Sequence, residues 1–241
     1  MRVYGKNVVK EVIEKENIKK AYISKNFKDQ ELIDKIKENK IQIKFLDRNI
    51  MDKMEKGNHQ GIILEIEDYN YYLVDEIKEN VIIMLDHIED PHNFGAIIRT
   101  VEAAGFKSII IPKDRSVEVN ATVMKTSAGA IENVRIAKVG NLVNTIKELK
   151  KDGYWVIGTD MNGEDYKTID YTGKIVIIIG NEGKGMSRLV KENCDFIASI
   201  PMRGKVNSLN ASVAAALIIY EAVSKNVWEY KWLWFTWQSI R

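Results

Sequence analysis

Residues 175–179 form a continuous run of isoleucine and valine, and this run constrains the fold of the 241-residue chain more than any other feature. A strand without a polar face must be covered on both faces, as strands inside parallel sheets are. Comparable apolar runs lie in the same part of the chain, at residues 81–85, 109–111, 155–157 and 196–200. Helical patterns at residues 96–104 and 142–149 alternate with them. The alternation predicts an α/β domain built on a parallel sheet.

The first 66 residues show helix and strand patterns on a smaller scale. Apolar spacing predicts helices near residues 8–13, 32–36 and 50–56 and strands near residues 21–23, 41–45 and 61–66. The segment Asp68-Tyr69-Asn70-Tyr71-Tyr72 then breaks the periodicity. We therefore predict a small α/β domain at residues 1–70, a linker at residues 71–80 and a larger domain at residues 81–225.

The composition argues against a secreted, membrane-bound or metal-binding protein. A single cysteine, Cys194, rules out an internal disulfide, and the three histidines, at positions 59, 87 and 92, have no metal-binding spacing. No apolar stretch approaches the roughly 20 residues of a membrane helix, and the first residues contain no apolar signal core. We expect a cytoplasmic protein that needs no metal and has no membrane partner.

Basic residues are concentrated at the front of the chain. The net charge is only +2, but residues 1–60 contain 15 Lys and Arg against 10 Asp and Glu, whereas the remainder contains 21 against 24. This excess suits an RNA-docking module, and it equally suits a solvated helical surface rich in lysine. The charge alone does not decide between the two.

Four of the five tryptophans lie within ten positions near the end of the chain, at positions 228, 232, 234 and 237. Such aromatic density in a tail typically covers a partner surface, on the same chain or on another. We separate residues 226–241 as a tryptophan-rich tail and assign it no function.

Three polar loops follow apolar runs. They are Asn93-Phe94-Gly95 with Arg99, Gly180-Asn181-Glu182-Gly183-Lys184-Gly185, and Ile200-Pro201-Met202 followed by Asn207-Ser208-Leu209-Asn210. Ligands of parallel sheets bind at the loops that leave the carboxyl ends of the strands, so the three loops predict one shared site. None of them has the spacing of a phosphate-binding P-loop or a dinucleotide fingerprint. The site is expected to bind another kind of ligand.

The first loop is expected to lead into a helix that Asn93 opens. Arg99 would then lie about one and a half turns inside the helix, close enough to its start to contribute to an anion site. A surface ion pair of Arg99 with Glu102 or Asp90 is the structural alternative.

The other two loops offer backbone groups and short polar side chains. Three glycines within residues 180–185 allow a flat ligand to approach the backbone closely. Glu182 is expected to pair with Arg99 or to bond a ligand, although a tight turn facing water explains it equally well. Ser208 is expected to cap the last helix at residues 208–225, and Ser208 and Asn210 to offer polar groups to a substrate.

Taken together, these residues resemble the SpoU/TrmH family of SPOUT RNA methyltransferases over residues 81–221. The resemblance is carried by Asp90-Pro91-His92-Asn93-Phe94-Gly95-Ala96 with Arg99, Lys113-Asp114-Arg115-Ser116, Asn120-Ala121-Thr122, Gly180 to Met186, Ile200-Pro201-Met202 and Ser208-Leu209-Asn210. Gly5 and His59-Gln60-Gly61 are similar to the small RNA-binding domain that precedes some members. The motifs are most similar to those of members that methylate the ribose of a guanosine in 23S ribosomal RNA.

The resemblance implies a fold, a cofactor and a set of site residues. It implies a parallel α/β sheet with a trefoil knot at the carboxyl end, S-adenosylmethionine as cofactor, and a homodimer whose knot helices meet. The cofactor would be held by Gly180, Gly185, Ile200, Met202 and Leu209. The catalytic set would be Arg99, Asn93, Glu182, Ser208 and Asn210, with Glu182 orienting Arg99 and with Asn93 and Arg99 serving the other subunit's cofactor.

The expected activity is therefore 2′-O-methylation of a guanosine in 23S ribosomal RNA. Transfer RNA is the alternative substrate, because nothing in residues 1–66 reads as a base-specific code. A non-catalytic RNA-binding or ribosome-assembly protein is the alternative of another class, for which the basic front domain would suffice. A nucleotide-dependent oxidoreductase is disfavoured by the missing dinucleotide fingerprint.

Overall fold

The computed structural model describes residues 1–13 and 18–226, which form two compact units. The first unit comprises Met1–Asn70 together with Val119–Lys125, and the second contains the rest of the chain from Tyr71 on. The tryptophan-rich tail lies outside the described residues. Within these residues no helix is both long and apolar enough to cross a bilayer.

The first unit is a four-stranded mixed sheet with helices. Its elements from Met1–Asn70 are β1 (Arg2–Tyr4), α1 (Lys6–Val12), β2 (Ile18–Ser24), α2 (Gln30–Glu38), β3 (Ile43–Leu46), α3 (Arg48–Met54) and β4 (Ile62–Ile66). The strand order is β1-β4-β2-β3, in which only β2 and β3 are parallel. The apolar spacing explains α2, because Leu32, Ile33 and Ile36 are buried on one face and Asp29 caps the helix by accepting from the Leu32 N–H at 3.3 Å.

The second unit carries a six-stranded sheet in which all strands are parallel. Its elements are β5 (Val81–Asp86), α4 (Pro91–Ala103), β6 (Ser108–Pro112), β7 (Arg135–Val139), α6 (Leu142–Lys151), β8 (Trp155–Asp165), β9 (Ile175–Gly180), α7 (Arg188–Glu192), β10 (Phe196–Ser199) and α8 (Ala211–Asn226). The helix α5 (Ala121–Ser127) lies between β6 and β7 in the chain, and its residues up to Lys125 belong to the first unit. The strand order is β10-β8-β9-β5-β6-β7. The predicted parallel α/β architecture is confirmed.

The central strands explain why this sheet forms. All six residues of β5 and the first five of β9 are buried, so the isoleucine and valine run is covered on both faces as expected. The register pairs Asp86 with Gly180. The carboxyl ends of β5 and β9, and the polar loops that follow them, are therefore neighbours.

Two strands differ from the sequence prediction. β7 was not predicted, because Arg135 and Lys138 interrupt its apolar pattern, as is common in an edge strand. β8 was predicted to end at residue 157 but continues to Asp165 and pairs with β10 through a register shift. A Cβ on Gly163 would collide with the backbone of Ile197, so glycine permits this close approach of the two strands.

The predicted domain boundaries need two corrections. The expected linker at residues 71–80 is bound to the second unit: the Tyr72 N–H donates to the Ile136 carbonyl at 2.9 Å, and Ile77 is buried in the core of that unit. The expected uninterrupted domain at residues 81–225 instead contributes Val119–Lys125 to the first unit, where Ala121 and Met124 pack against the apolar core. Local sequence signals cannot reveal either packing choice.

Candidate active site

The loops at the carboxyl ends of β9 and β10 and the start of α8 enclose a cavity of about 410 Å³. The middle of β8, at residues 159–162, forms a further part of the wall. Seven of the ten predicted site residues line it: Gly180, Glu182, Gly185, Ile200, Met202, Ser208 and Leu209. The volume lies in the range of small-molecule and cofactor pockets.

Asn181 builds the glycine-containing loop. Its backbone N–H and carbonyl bond Gly185 in both directions, at 3.1 and 2.9 Å, and its Oδ1 accepts from the N–H groups of Gly183 and Lys184 at 2.9 and 3.1 Å. Its Nδ2 donates to the His87 carbonyl at 2.8 Å, which ties this loop to the one after β5. The sequence analysis missed this role, although an Asn beside glycines is a turn signal that points to it.

Gly180 is required because the loop folds back onto it. A Cβ at this position would lie 2.5 Å from the Met186 nitrogen and 2.6 Å from the Gly185 carbonyl carbon, both backbone atoms that cannot move aside cheaply. Gly183 differs, since a Cβ there would meet its nearest neighbour, Asn181 Oδ1, at 3.7 Å. Only one of these two glycines is sterically obligatory.

The helix after β5 starts earlier than predicted. Asp90, not Asn93, is the N-cap, because its Oδ1 accepts from the His92 N–H at 2.9 Å and Pro91 occupies the first helical position. Proline is favoured there, since its missing N–H is not needed in the first turn. The expectation that Asn93 opens α4 is wrong, and its side chain is free for another task.

Asn93 joins all three predicted loops in one hydrogen-bond network. Its Nδ2 donates to Glu182 Oε1 at 2.7 Å, and its Oδ1 accepts from Asn210 Nδ2 at 2.9 Å. The residue is only 6% exposed, so both ends of its amide are satisfied inside the protein. The network lies within a single chain.

The start of α8 also differs from the prediction. Asn210, not Ser208, caps the helix, because its Oδ1 accepts from the Ser212 N–H at 2.9 Å while the helix begins at Ala211. Asparagine is as good an N-cap as serine, and here its amide nitrogen reaches Asn93 at the same time. Ser208 is exposed and lines the cavity.

Arg99 stands apart from this network. Its side chain is exposed and forms no hydrogen bond or ion pair with residues 1–13 or 18–226. The expected contact with Glu182 is not formed, since Glu182 accepts from Asn93. The alternative ion pairs are absent as well: Glu102 accepts from Asn133, and Asp90 caps α4. The guanidinium is available to an external anion.

Asp86 is a buried carboxylate that the sequence analysis did not single out. It ends β5 with 1% exposure; one oxygen accepts from the Ser187 N–H at 2.6 Å, and the other lies 2.5 Å from His87 Nδ1. His87 has a left-handed backbone, with φ of 60°. The sequence did contain a signal for this role, because Asp86 is the one polar residue at the end of an otherwise apolar strand. Asp86 fixes the loops after β5 and β9 relative to each other.

Two sulfur-containing side chains pack in the core against Gly158 of β8. A Cβ on Gly158 would come within 2.6 Å of the Met186 methyl group and 2.7 Å of Cys194 Sγ. Burial raises the pKa of the Cys194 thiol to about 12, so this cysteine is a packing residue. No group of three or more potential metal ligands occurs in the part of the chain that the structure describes.

Comparison with known families accounts for both units. The SpoU rRNA Methylase family matches residues 80–220, where the cavity and the Asn93 network lie. The chain belongs to the SpoU family. Residues 2–72 match a second SpoU domain, described as RNA 2′-O ribose methyltransferase substrate binding. The resemblance seen in the motifs is thereby confirmed.

Relatives of known name agree with this membership of the SpoU family. A Bacillus subtilis protein, YacO, named as a TrmH family tRNA/rRNA methyltransferase, is 42% identical over 236 residues, which cover 92% of this chain and 95% of the relative. The SpoU methyltransferase AviRb of Streptomyces viridochromogenes, crystallised with AdoMet, has the same fold at 22% identity, with a TM-score of 0.72 and coverage of 93% of this chain and 90% of AviRb.

A second solved structure is similar over part of the chain. The A. aeolicus TrmH/SpoU tRNA modifying enzyme is 32% identical, with a TM-score of 0.57, over 61% of this chain and 76% of that enzyme. The chain is therefore an RNA methyltransferase of the SpoU/TrmH family with a substrate-binding domain in front.

Proposed function

We propose that the protein transfers a methyl group from S-adenosylmethionine to a ribose 2′-hydroxyl of RNA, on a guanosine of 23S ribosomal RNA. The observation that carries this proposal is the cavity of about 410 Å³ beside the Asn93 network. The match of the first unit to a 2′-O ribose methyltransferase substrate-binding domain supports ribose as the methylated group.

The residues of the cavity fit this cofactor. Gly180 and Gly185 line the wall without side chains, so a ligand is able to approach the backbone there, while Ile179, Ile200 and Leu209 supply apolar surface for an adenine ring. Glycine at position 180 is required for the loop to close. When bound, the cofactor supplies an electrophilic methyl group on a sulfonium. We propose that Gly180, Gly185, Ile200, Met202 and Leu209 hold it.

The chain's own residues position the acceptor. A guanidinium has five N–H donors and no acceptor, so the role of Arg99 is to bind an RNA phosphate and orient the 2′-hydroxyl, not to remove a proton. The Asn93 network holds Glu182 and Asn210 at the rim of the cavity, where Ser208 adds a hydroxyl. Placing the reacting groups is the main contribution that such a transfer needs from a protein.

The experiment that tests this function is mass mapping of RNA treated with the full chain and S-adenosylmethionine. We expect a new 2′-O-methylguanosine in 23S ribosomal RNA from a strain lacking the enzyme. A mark on a base, or no mark on any RNA despite cofactor binding, would contradict the proposal; the latter would favour the non-catalytic RNA-binding alternative.

Transfer RNA is the second candidate substrate. The 32% identity with a tRNA modifying enzyme over 61% of this chain favours it, and the name of the B. subtilis relative covers both RNA classes. The same mapping, run with total transfer RNA as a parallel substrate, separates the two. Methylation confined to transfer RNA would reject the ribosomal assignment.

The protein is further proposed to act as a homodimer. Val213, Leu217 and Tyr220 follow one another at helical spacing on α8 and are 48%, 39% and 52% exposed, an apolar stripe that a second copy would cover. We propose that Arg99, which has no partner in its own described chain, serves the cavity of the other copy.

A subunit-mixing experiment tests this sharing. Arg99→Ala leaves the cavity intact, and Gly180→Ala leaves Arg99 intact, so each homodimer is expected to be impaired when the cofactor concentration is below saturation. Co-expressed heterodimers would regain one working site if Arg99 acts across the interface. Activity that stays at the background of either variant would show that Arg99 serves its own chain.

We also propose that the carboxyl end is knotted. The chain leaves β10 at the edge of the sheet, yet α8 returns to pack against α4 and β9, two strands inward. Single-molecule stretching tests the threading, since a tightened knot shortens the extended chain. A fully extended length equal to that of a linear chain would contradict it.

The first unit is proposed to dock RNA through the loops around Gln60. Gln60 has a left-handed backbone with φ of 52°, and its Oε1 accepts from the Lys6 N–H at 2.9 Å. Buried His59 fixes this loop: its Nδ1 accepts from the Gly61 N–H at 3.0 Å, which leaves Nε2 to donate to Asp52 at 2.8 Å. A strained left-handed backbone at a residue other than glycine, fixed by such hydrogen bonds, is typical of a binding loop. Gln60→Ala is expected to weaken RNA binding without changing cofactor affinity.

A further inference from the structure

The middle of β8 gives the cavity a charged side chain that the family motifs do not contain. Asp160 lines the cavity and its side chain is only 18% exposed. Its Oδ1 accepts from the Asn162 N–H at 3.0 Å and lies 3.0 Å from Lys191 Nζ on α7. A carboxylate has about four acceptor positions, so these contacts leave Oδ2 able to accept further hydrogen bonds.

Asp160 is ionised, and its charge is already compensated. Burial opposes ionisation, but the hydrogen bonds from Asn162 and Lys191 outweigh it and lower the pKa of Asp160. The side chain therefore offers an acceptor without a net charge beside the cavity. Such a group suits a neutral donor, because a second cation placed against Asp160 would also lie close to the Lys191 ammonium and be repelled.

The cofactor carries both kinds of donor. Its ribose has two neutral hydroxyls, whereas its methionine part has a cationic α-ammonium. A carboxylate accepting from a ribose hydroxyl is a recurrent way of recognising nucleosides. The neighbouring walls agree, because Ile179, Ala198 and Ile218 provide an apolar surface of the kind that covers an adenine.

We propose that Asp160, held in place by Lys191, accepts hydrogen bonds from the ribose hydroxyls of the S-adenosylmethionine bound in this cavity. The inference rests on the proposed function and assigns the nucleoside end of the cofactor to the β8 side of the site. Asp160 thereby becomes a specificity residue that favours a ribonucleoside over a deoxyribonucleoside.

Calorimetric titration of the full chain tests the assignment with two ligands. S-adenosylhomocysteine has the whole cofactor skeleton without the transferable methyl, and 5′-methylthioadenosine lacks the amino acid part. Asp160→Asn should weaken both ligands by a similar factor of about 10 to 100, since a hydrogen bond to a charged group contributes about 1.5–3 kcal/mol. Glu164→Gln removes an exposed carboxylate from the same strand outside the cavity and should change neither affinity.

A deoxy ligand completes the test. Wild type should bind 2′,3′-dideoxy-5′-methylthioadenosine more weakly than 5′-methylthioadenosine, and Asp160→Asn should bind the two about equally. Weakening of S-adenosylhomocysteine alone would place the amino acid part against Asp160 and overturn the proposal. If Asp160→Asn and Lys191→Met lose the same thermal stability while both ligand affinities stay unchanged, the pair only holds β8 and α7 together. This outcome also overturns the proposal.

The two levels of inference fail in different ways. If wild type binds neither ligand, the proposed function is wrong. If wild type binds both and Asp160→Asn binds them equally well, only the role of Asp160 is wrong.

Discussion

The proposed cofactor side and the proposed acceptor side of the candidate site are built in opposite ways. On the proposed cofactor side, Gly180 admits no side chain and buried Asp86 ties the loops after β5 and β9 together. On the proposed acceptor side, the Arg99 side chain is exposed and forms no hydrogen bond or ion pair within residues 1–13 and 18–226. One chain thus completes the first half of the site and leaves the second half open.

The difference has a physical reason. A small cofactor gains most from a rigid cavity, because little ordering is required when it binds. A polyanion such as RNA brings its own charge, so a guanidinium that is not tied to a carboxylate of its own chain remains free to bind a phosphate. The comparison predicts that mutations on the two sides separate cofactor binding from turnover.

Replacement of Arg99 should have the largest effect. Arg99→Ala is expected to lower methyl transfer by about 10²–10³-fold, as loss of one preorganised charged donor does, while cofactor affinity and thermal stability stay unchanged. Radiolabel transfer to RNA and calorimetry measure the two quantities. Arg188→Ala, which removes an exposed arginine paired with Glu192, is the matched control and should retain activity. Undiminished methyl transfer in Arg99→Ala would show that Arg99 does not bind the acceptor RNA.

Replacement of Gly180 should affect the cofactor side. Gly180→Ala forces a methyl group against the backbone of Gly185 and Met186, which costs about 1–3 kcal/mol and disturbs the cavity wall. We expect at least about a tenfold loss of cofactor affinity, or 1.4 kcal/mol. Gly183→Ala has room for its Cβ and serves as the control. Equal cofactor affinities of Gly180→Ala and Gly183→Ala would show that the close packing around Gly180 does not shape the cavity.

Replacement of Asn93 tests the connection between the loops. Asn93→Ala leaves Glu182 and Asn210 without their shared partner and should lower the free energy of unfolding by about 1–3 kcal/mol. Urea titration of Asn93→Ala, Asn210→Ala and the double variant measures the coupling. Because the residues share one bond, the two losses should not add, with a coupling of about 0.5–3 kcal/mol. Strict additivity would contradict a network.

Replacement of Asp90 should have the smallest effect. Asp90→Ala removes the cap of α4, which is worth about 1 kcal/mol, and lets the first turn with Asn93 fray. Urea titration measures the loss, and Glu89→Ala, one residue earlier and outside the helix, is the control. A fall in turnover larger than the fall in cofactor affinity would place Asp90 on the acceptor side instead.

Sequence patterns predicted the sheet better than the site. The apolar runs identified β5, β6, β8, β9 and β10, because a strand covered on both faces leaves a local record of its burial. They missed β7, whose Arg135 and Lys138 break the apolar run at an edge position. The helix starts at Asp90 and Asn210 were each misplaced, since several nearby polar residues are able to cap and only the path of the chain selects one.

The sequence by itself determined the fold class, the family motifs and the three polar loops, two of which line the cavity while the first is joined to them through Asn93. Only the tertiary structure decided which residues form these contacts: Glu182 pairs with Asn93 instead of Arg99, Asp86 with Ser187, and Asp160 with Lys191. Apolar periodicity is a local property of the chain, whereas these contacts join residues about 30 to 100 positions apart. Such pairings depend on strand order and register, which short-range patterns do not encode.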